Sequence, residues 1–521
     1  MSGARPTVAV IGGGVAGLVA ARQLGLAGAH VVLFEAGPDV GGRAHRHGSC
    51  SFDHAGTSWH FDLEHGIHGI WRQYRNLRRI LGEEGGAGHL VHAHDQELVM
   101  PVRGGAVRAY EFGARVRNSV WPDFLAFSQI FAADDFALQA LKDGPQLYAK
   151  AALDLLHAFA FTAPSDIEAY DDVSVAEYVA EWPQLLQRMT GAITHSAFFR
   201  EAHEVSLAAY LTGLQAYFVS DKRDTAFDFF STDIAVDFLH PMCRRIEALG
   251  GEVRRGTRVE QLEFDANGDI SAVMVRAAGE DHADRVPVAA AVLAVDPPAL
   301  TRLAADPSVA AMLPEGRIPD GVASVVVRLF TTAPPADKRA VTGVLHGLGA
   351  DNFFWLHRLQ RPYFAWHQQT GGGVLECHLY GDRAVAAMVD DDDAVILRAK
   401  ATLSLGWPEI AGRVAHVHVQ RNVPTHVAFG TGVMSRVMPV QTRAANVALC
   451  GDWVRCDEPV LYLERAAVTG LLAARRIGAQ LGLDHHALPA PLSPFEAAPG
   501  VRGVRRVARK LRQFGWLPAL R

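Results

Sequence analysis

A glycine-rich turn between a short apolar segment and a helix is the feature that most constrains this chain. Residues 7–11 form a continuous apolar run rich in β-branched side chains, which is typical of a strand buried on both faces of a parallel sheet. Gly12, Gly14 and Gly17 follow in the spacing G-x-G-x-x-G. This spacing permits a tight turn, a close approach of a pyrophosphate to the backbone, and close packing of the next helix on the strand. It predicts a dinucleotide-binding βαβ unit.

The residues after these glycines complete the unit. A helix is predicted over 18–26 and ends at Gly28, and a second strand over His30–Phe34 carries Glu35 at its tip. An acidic residue at this tip accepts hydrogen bonds from the adenosine ribose, and the helix N-terminus holds the phosphates. The residues assigned to the cofactor here are Gly12, Gly14, Ala16, Gly17 and Glu35.

The next segment distinguishes FAD from NAD. Gly41, Gly42 and Arg43 follow Glu35, and here the chain resembles the flavin amine oxidase and phytoene desaturase superfamily, whose second motif is Gly-Gly-Arg. The resemblance implies that FAD is the cofactor and that Gly42 and Arg43 lie along its pyrophosphate. An arginine suits this position because its planar fork meets phosphate oxygens in a bidentate manner.

Residues near the other end of the chain are expected to close the same site. An apolar run over 446–450 leads into Gly451 and Asp452, and a helix is predicted over 463–481. By the resemblance, Gly451 and Asp452 contact the ribityl and phosphate part of FAD, and the helix directs its N-terminus at the flavin ring. The positive end of a helix dipole stabilises negative charge there.

The resemblance assigns three further residues to the cofactor. Val259, at the end of a strand predicted over 252–259, would meet adenine through its backbone. Gly56 and Thr57, in the segment 52–60, would lie beside the flavin ring.

The resemblance implies an α/β fold in which a discontinuous Rossmann-like FAD-binding domain carries a mixed α+β substrate domain. We assign residues 1–90, 234–308 and 436–484 to the FAD-binding domain, 91–233 and 309–435 to the substrate domain, and 485–521 to a tail. Helices are predicted over 124–161 and 175–216, and strands over 324–330, 374–380 and 414–420.

Two segments indicate a branch of the superfamily. Residues 61–77, which contain two His-Gly pairs, and residues 451–470 resemble carotenoid desaturase-like enzymes, especially the carotenoid ring aromatases. This resemblance implies hydride abstraction from a lipophilic polyene or isoprenoid, leading to desaturation or to ring aromatisation. Electrons would then leave the flavin to a quinone or to oxygen.

Loss of hydride from a β-ionone-type ring would leave a carbocation, which aromatic faces stabilise. Phe353, Phe354 and Trp355 offer such faces, and Trp355 is the candidate catalytic residue among them. Packing in the core is the alternative for this trio.

Completion of the reaction also requires a weak base that takes up a proton. Glu64, His65 and His68 are the candidates. The alternative for Glu64 is an ion pair with Arg72 or Arg75.

The composition excludes several classes of protein. Lys and Arg number 50 against 56 Asp and Glu, a net charge of −6, so no nucleic-acid partner is expected. The five cysteines include no C-x-x-C pair, which indicates a reducing compartment. The N-terminal residues lack a signal-peptide pattern and no apolar run reaches about 18 residues. We therefore expect a cytoplasmic protein.

The C-terminal residues predict peripheral association with a membrane. On an ideal helix over 501–517, apolar and basic side chains fall on opposite faces. The apolar face comprises Val501, Val504, Val507, Ala508, Leu511 and Phe514, and the basic face comprises Arg502, Arg505, Arg506, Arg509, Lys510 and Arg512. Helices of this kind lie on anionic membranes. The alternative is a terminal helix packed on the protein body.

Two other functions fit the sequence, namely a flavin amine oxidase and a non-catalytic flavoprotein that binds FAD and a membrane. Metal chemistry is not expected. His45 with His47, and His65 with His68, have spacings that suit a metal, but the flavin site already accounts for this region.

Overall fold

The computed structural model describes residues 5–93, 95–102, 105–123, 144–225 and 227–517. Residues 124–143 of the helix predicted over 124–161 therefore lie outside the described residues. In the described residues, segments rich in strands lie on either side of a helical segment over residues 113–217.

The strands, in chain order, are β1 Thr7–Ile11, β2 His30–Phe34, β3 Arg46–His54, β4 Thr57–Glu64, β5 Gly69–Trp71, β6 Leu90–Ala93, β7 Gln96–Pro101, β8 Val107–Glu111, β9 Phe227–Phe230, β10 Glu252–Arg254, β11 Thr257–Phe264, β12 Ile270–Ala277, β13 Asp284–Pro287, β14 Ala290–Leu293, β15 Gly321–Thr331, β16 Thr342–Leu345, β17 Asn352–Trp355, β18 Val374–Leu379, β19 Val414–Val427 and β20 Val447–Leu449.

The helices are α1 Val15–Leu26, α2 Arg75–Glu83, α3 Gly113–Arg117, α4 Pro145–Ala160, α5 Ile167–Asp171, α6 Val175–Val179, α7 Gln184–Phe198, α8 Leu207–Tyr217, α9 His240–Ala248, α10 Pro297–Leu303, α11 Pro307–Met312, α12 Arg361–Thr370, α13 Gly381–Val389, α14 Asp392–Gly406, α15 Tyr462–Gln480 and α16 Pro499–Gln513.

A five-stranded parallel sheet, here called the parallel sheet, has the order β10-β2-β1-β14-β20. Its central strands are almost entirely apolar and buried, because helices cover a parallel sheet on both faces. The strands come from distant parts of the chain, so β14 and β20 lie beside the N-terminal βαβ unit. The predicted α/β fold with a Rossmann-like unit is confirmed.

A seven-stranded sheet, here called the mixed sheet, has the order β19-β15-β18-β17-β16-β7-β8. Its strands fall within the ranges assigned to the substrate domain. In its register Arg328 lies opposite Glu376, and Phe354 lies opposite Glu376 on the other side. Because side chains alternate between faces, this register decides which residues point towards the parallel sheet.

The C-terminal helix packs on the protein body instead of presenting its whole apolar face to solvent. Val501 and Ala508 of α16 are fully buried, and Ala508 and Leu511 pack with residues of α4. Arg505 donates to Ser220, and burial lowers its pKa to about 10. The apolar face of α16 is therefore only partly free, since Ala508 and Leu511 pack on α4 while Val507 and Phe514 stay exposed.

Within the described residues, no helix combines the length and the apolar character that a membrane crossing requires.

We predict that Gly17→Ala lowers the stability of the protein. A Cβ atom at Gly17 would lie 2.0 Å from the backbone oxygen of Gly12, which no rotamer change can relieve. Overpacking of this kind costs about 1–3 kcal/mol, so the thermal midpoint should fall.

Gly503→Ala in α16 is the matched control, because no atom lies within 4 Å of its added Cβ. Removal of a helix-interior glycine should raise the thermal midpoint slightly. Equal midpoints for the two variants would contradict the close contact at Gly17.

Candidate cofactor and active site

One cavity of about 1000 Å3 opens between the parallel sheet and the mixed sheet. One part of its wall consists of the N-terminal glycine turn, Glu35, Val259 and the Gly451–Asp452 turn. Another part consists of segment 65–69 together with residues of the mixed sheet and of the helices beside it. The volume lies at the upper end of the range for small-molecule sites.

Each glycine of the first motif meets a distinct steric requirement. Gly12 has a φ of +106°, and a Cβ there would lie 2.5 Å from the backbone oxygen of Ala294. Gly17 allows α1 to pack against the end of β1. Gly14 differs, because no atom lies within 4 Å of the position that its Cβ would take. The space in front of Gly14 belongs to the cavity, whose wall also includes Ala16.

The second glycine pair lies directly against the first motif. The Gly41 N–H donates to the carbonyl of Gly13 over 2.8 Å. Glu35 is held at the strand tip because its carboxylate accepts from the backbone of Gly13 over 2.8 Å and of Gly37 over 2.6 Å. These contacts form a backbone cradle around the end of the cavity where adenosine is expected.

The two ends of the chain meet through an ion pair. Arg43 Nη2 lies 2.6 Å from Oδ2 of Asp452, and both residues line the cavity. The helix α15 begins beside this pair, and Tyr462 and Leu463 of its first turn also line the cavity. The helix N-terminus is therefore directed at the cavity, as the sequence predicted.

The assignment of Gly56 and Thr57 to the flavin ring is wrong. They form the exposed tip of the β3–β4 hairpin and do not line the cavity. The physical reason is the turn, because Ala55 and Gly56 have φ values of +49° and +79° and reverse the chain. Because the chain reverses in this hairpin, the segment that reaches the cavity is residues 65–69, about ten residues after Gly56 and Thr57.

The three candidate bases lie together, but they do not share one role. His65 and His68 line the cavity. Glu64 is buried behind them, where its carboxylate lies 3.3 Å from His68 Nδ1 and accepts from Gln360 over 2.7 Å. It pairs with neither Arg72, which binds Asp224, nor Arg75. Glu64 is therefore a positioning residue and not a group in the cavity.

Burial keeps His65 neutral. It lowers the pKa of His65 well below its ordinary 6.5, and the neighbouring His426, His68 and Arg43 lower it further. The pKa of His426, which also lines the cavity, is lowered in the same way by burial and by Arg43. This part of the wall thus presents neutral imidazole rings.

The assignment of Trp355 as a catalytic residue is wrong. Trp355 and Phe353 are fully buried on the far face of the mixed sheet, where both pack against Trp407. Phe354 lies between them in sequence and points the other way, so that its ring packs on His378. Because side chains alternate between the two faces of a strand, Phe353 and Trp355 belong to the core, and Phe354 lies on the opposite face.

Aromatic faces do line the cavity, but they come from residues that the sequence analysis missed. Phe199, Tyr380, Phe429 and Tyr462 all belong to the wall. Phe199 and Tyr462 have φ values of +63° and +57°, which are strained for residues with side chains. Strain of this kind costs about 1–3 kcal/mol per residue and is concentrated at functional sites.

The strand β18 contributes a polar face that the sequence analysis also missed. Glu376 and His378 lie on one face of β18 and Tyr380 follows it, and His378 and Tyr380 reach the cavity. Arg328 of β15 forms a fully buried ion pair with Glu376, with 2.7 Å between Nε and Oε2. Polar residues at every second position of an otherwise apolar strand are a signal that could have identified this face.

A glycine turn at the carboxyl edge of a parallel sheet, an acid at the next strand tip and a helix N-terminus at one cavity define a site for a dinucleotide cofactor. The backbone cradle fits the cofactor, because Gly14 leaves open the space that a pyrophosphate needs. Residues 15–478 match the family of flavin containing amine oxidoreductases, and the chain belongs to this family. FAD is its cofactor.

Curated relatives extend the comparison over most of the chain. A carotenoid phi-ring synthase of Streptomyces griseus is 28% identical over 485 residues, which cover 91% of this chain and 88% of the relative. A probable zeta-carotene desaturase of Synechococcus elongatus is 25% identical, with 90% of this chain and 98% of the relative covered.

Solved structures support the fold. A putrescine oxidase superposes with a TM-score of 0.64 at 18% identity, covering 91% of this chain and 99% of that chain. The cyclohexylamine oxidase of Brevibacterium oxydans superposes with a TM-score of 0.61 at 16% identity, covering 92% of this chain and 100% of that chain.

We predict that Gly14→Val gives a folded but colourless protein. No protein atom lies within 4 Å of a Cβ at Gly14, so the added side chain enters the space that the cofactor pyrophosphate requires. Flavin absorbance of the purified protein and its thermal midpoint are the measurements. Since bound FAD itself stabilises the fold, the midpoint should be compared with that of the FAD-stripped wild type.

Gly503→Val is the matched control and should retain FAD, because this glycine lies in α16 and does not line the cavity. A normal flavin content in Gly14→Val would show that the pyrophosphate binds elsewhere.

Proposed function

We propose that the protein oxidises a carotenoid or a related isoprenoid, by desaturation or by ring aromatisation. The observation that carries the proposal is the aromatic and neutral-imidazole wall in the same cavity as the FAD cradle. Such a wall accepts an apolar polyene and stabilises a developing carbocation. The relatedness to a carotenoid phi-ring synthase over 91% of this chain supports the same substrate class.

Bound FAD supplies the acceptor for the hydride that leaves the substrate. The chain holds the ring in a water-poor cavity, and its aromatic side chains face the cation that hydride loss creates. Phe199, Tyr380, Phe429 and Tyr462 take the role that the sequence analysis gave to Trp355. Electrons then leave to a quinone or to oxygen. Of the three bases that the sequence suggests, Glu64, His65 and His68, only the two histidines line the cavity.

The amine oxidase alternative has less support in the cavity. The acids that line it are Glu35, Glu260, Asp296 and Asp452, all on the side of the FAD-binding segments. The part of the wall formed by the described residues of the mixed sheet presents no carboxylate to meet an ammonium group. The alternative of a non-catalytic flavoprotein predicts that no substrate bleaches the bound flavin.

Pigment conversion in a bacterial host tests the proposal. We expect a strain that accumulates lycopene, γ-carotene or β-carotene to form a pigment with altered conjugation or an aromatic end group when it expresses the protein. Chromatography and absorption spectra of the extracts are the measurements, and Gly14→Val is the inactive control. Unchanged pigments together with peroxide release from a panel of amines would favour the amine oxidase.

We also propose that the end of α16 contacts an anionic membrane, from which the polyene would enter. Although α4 covers part of the apolar face, Phe514 and Trp516 remain 72% and 76% exposed. Arg506, Arg509 and Lys510 are exposed beside them. Exposed aromatic and basic side chains at one helix end suit the interface of a bilayer.

We predict that replacement of both Phe514 and Trp516 by serine weakens binding to vesicles of phosphatidylcholine and phosphatidylglycerol by about tenfold or more, since each buried aromatic ring contributes about 1.5–3 kcal/mol. Vesicle flotation measures this. The double replacement of Val389 and Leu397 by serine is the control, because these side chains are equally exposed elsewhere. Equal flotation of the two variants would remove α16 as the membrane contact.

A further inference from the structure

A chain of polar contacts leads from the cavity wall into the mixed sheet. The Tyr380 hydroxyl lies 2.7 Å from His378 Nδ1, and His378 Nε2 lies 2.7 Å from Oε1 of Glu376. The other carboxylate oxygen of Glu376 lies 2.7 Å from Nε of Arg328. Tyr380 and His378 line the cavity, whereas Glu376 and Arg328 are fully buried behind them. These contacts therefore connect the cavity to the buried ion pair of Glu376 and Arg328.

Arg328 determines which atom donates and which atom accepts in each hydrogen bond of this series of contacts. Burial alone would raise the pKa of Glu376, but the charge of Arg328 and the hydrogen bond from His378 lower it to about 2. An ionised carboxylate only accepts hydrogen bonds, so His378 Nε2 carries a proton and donates it. In the neutral imidazole, Nδ1 is then the acceptor, and the Tyr380 hydroxyl donates to it.

The structure holds Tyr380 firmly in this geometry. Its backbone N–H donates to Oδ2 of the buried Asp351 over 2.8 Å, and its ring packs against Phe199 at 4.6 Å between centroids. The ring of His378 lies over Gly66, where a Cβ would come within 2.9 Å of its Cε1 atom. The phenol oxygen is thus fixed at the wall of the cavity.

We propose that the Tyr380 hydroxyl accepts the proton that the pigment ring loses, and that His378, held by Glu376, takes up the phenol's own proton. The proposal rests on the proposed function, in which a ring cation forms after hydride loss. It adds the group that removes a proton from this cation and so gives the neutral product.

Proton loss from the pigment cation begins at a C–H bond next to the cationic carbon. This bond breaks, and its electron pair forms the new C=C bond of the ring. The proton forms an O–H bond with Tyr380 as the original O–H bond of the phenol breaks towards His378 Nδ1. The positive charge moves from the pigment to the imidazolium, where Glu376 stabilises it. Water that enters after product release takes the proton away.

The other histidines of the wall are less suited to hold this proton. His65 is surrounded by His426, His68, Arg43 and His47, so a charge on its ring is destabilised. His68 has Glu64 as a partner, but at 3.3 Å and not at 2.7 Å. Shorter charge-assisted hydrogen bonds stabilise an imidazolium more strongly.

Tyr380→Phe in the full-length, FAD-loaded protein is the primary test, because it keeps the ring and removes only the hydroxyl. With detergent-solubilised β-carotene and γ-carotene as the probes, we expect turnover to fall about 100-fold, as is usual on loss of a general base. The Kd of each pigment, from quenching of protein fluorescence, should stay within about threefold, because the aromatic surface is unchanged. A purely structural role of Tyr380 would instead change binding, flavin content and turnover together.

His378→Ala is the second variant. Imidazole added to the solution can occupy the vacated space and accept the phenol proton, so we expect it to raise the turnover of this variant about tenfold or more. No rescue in a variant that is folded and carries normal FAD would overturn the relay through His378.

Tyr210→Phe is the matched control, and His68→Gln tests the competing proton acceptor. Tyr210 lies buried in α8 outside the cavity, and loss of its hydroxyl should leave turnover unchanged. Wild-type turnover in Tyr380→Phe, or a 100-fold loss in His68→Gln alone, would overturn the assignment to Tyr380 while leaving the proposed function intact. No conversion of any pigment by the wild type would overturn the proposed function, and with it the relay.

Discussion

Close backbone contacts at the first strand–helix turn hold the FAD-binding part of the molecule together. A Cβ at Gly17 would lie 2.0 Å from the oxygen of Gly12, one at Gly12 would lie 2.5 Å from the oxygen of Ala294, and one at Gly470 would lie 2.5 Å from the oxygen of Ala16. These contacts join the start, the middle and the end of the chain. Because none of them tolerates a side chain, the cofactor turn, β14 and α15 have one mutual arrangement.

The position of the cavity wall that carries His378 and Tyr380 follows from this arrangement and from the register of the mixed sheet. Segment 65–69 leaves the β3–β4 hairpin and reaches the cavity, where the Glu376 carboxylate accepts from the Ile67 N–H over 2.8 Å. The same carboxylate is paired with Arg328. A buried ion pair contributes little net stability but is costly to break. Its value here is positional, since it fixes the wall segment to the sheet that carries His378.

Sequence reasoning succeeded where a short stretch of chain determines its own contacts. The βαβ unit, the second glycine pair and the Gly451–Asp452 turn were predicted, and the structure brings all of them to one cavity. It failed for Gly56 and Thr57 because two similar Phe-Asp segments, at 52–53 and 61–62, lie on opposite arms of a hairpin. Nothing local distinguishes the arm that leads to the cavity.

For Trp355 and the C-terminal helix, too, the local sequence did not determine which contacts form. The aromatic trio has a clear period of two, but only pairing with β18 decides that Phe354 faces His378 and Trp355 faces Trp407. The amphipathic pattern of α16 was correct, and only its contact with α4 decides which part of the apolar face the protein covers.

By itself, the sequence determined the cofactor, the α/β fold and the family resemblance, because glycine spacing and strand hydrophobicity act over a few residues. The tertiary structure decided which side chains line the cavity. Phe199, His378, Tyr380 and Tyr462 come from separate parts of the chain and converge only when the two sheets close around the cavity. The physical reason is that a reactive wall is a property of packing between distant strands and helices, whereas a phosphate-binding turn is a property of a single local segment.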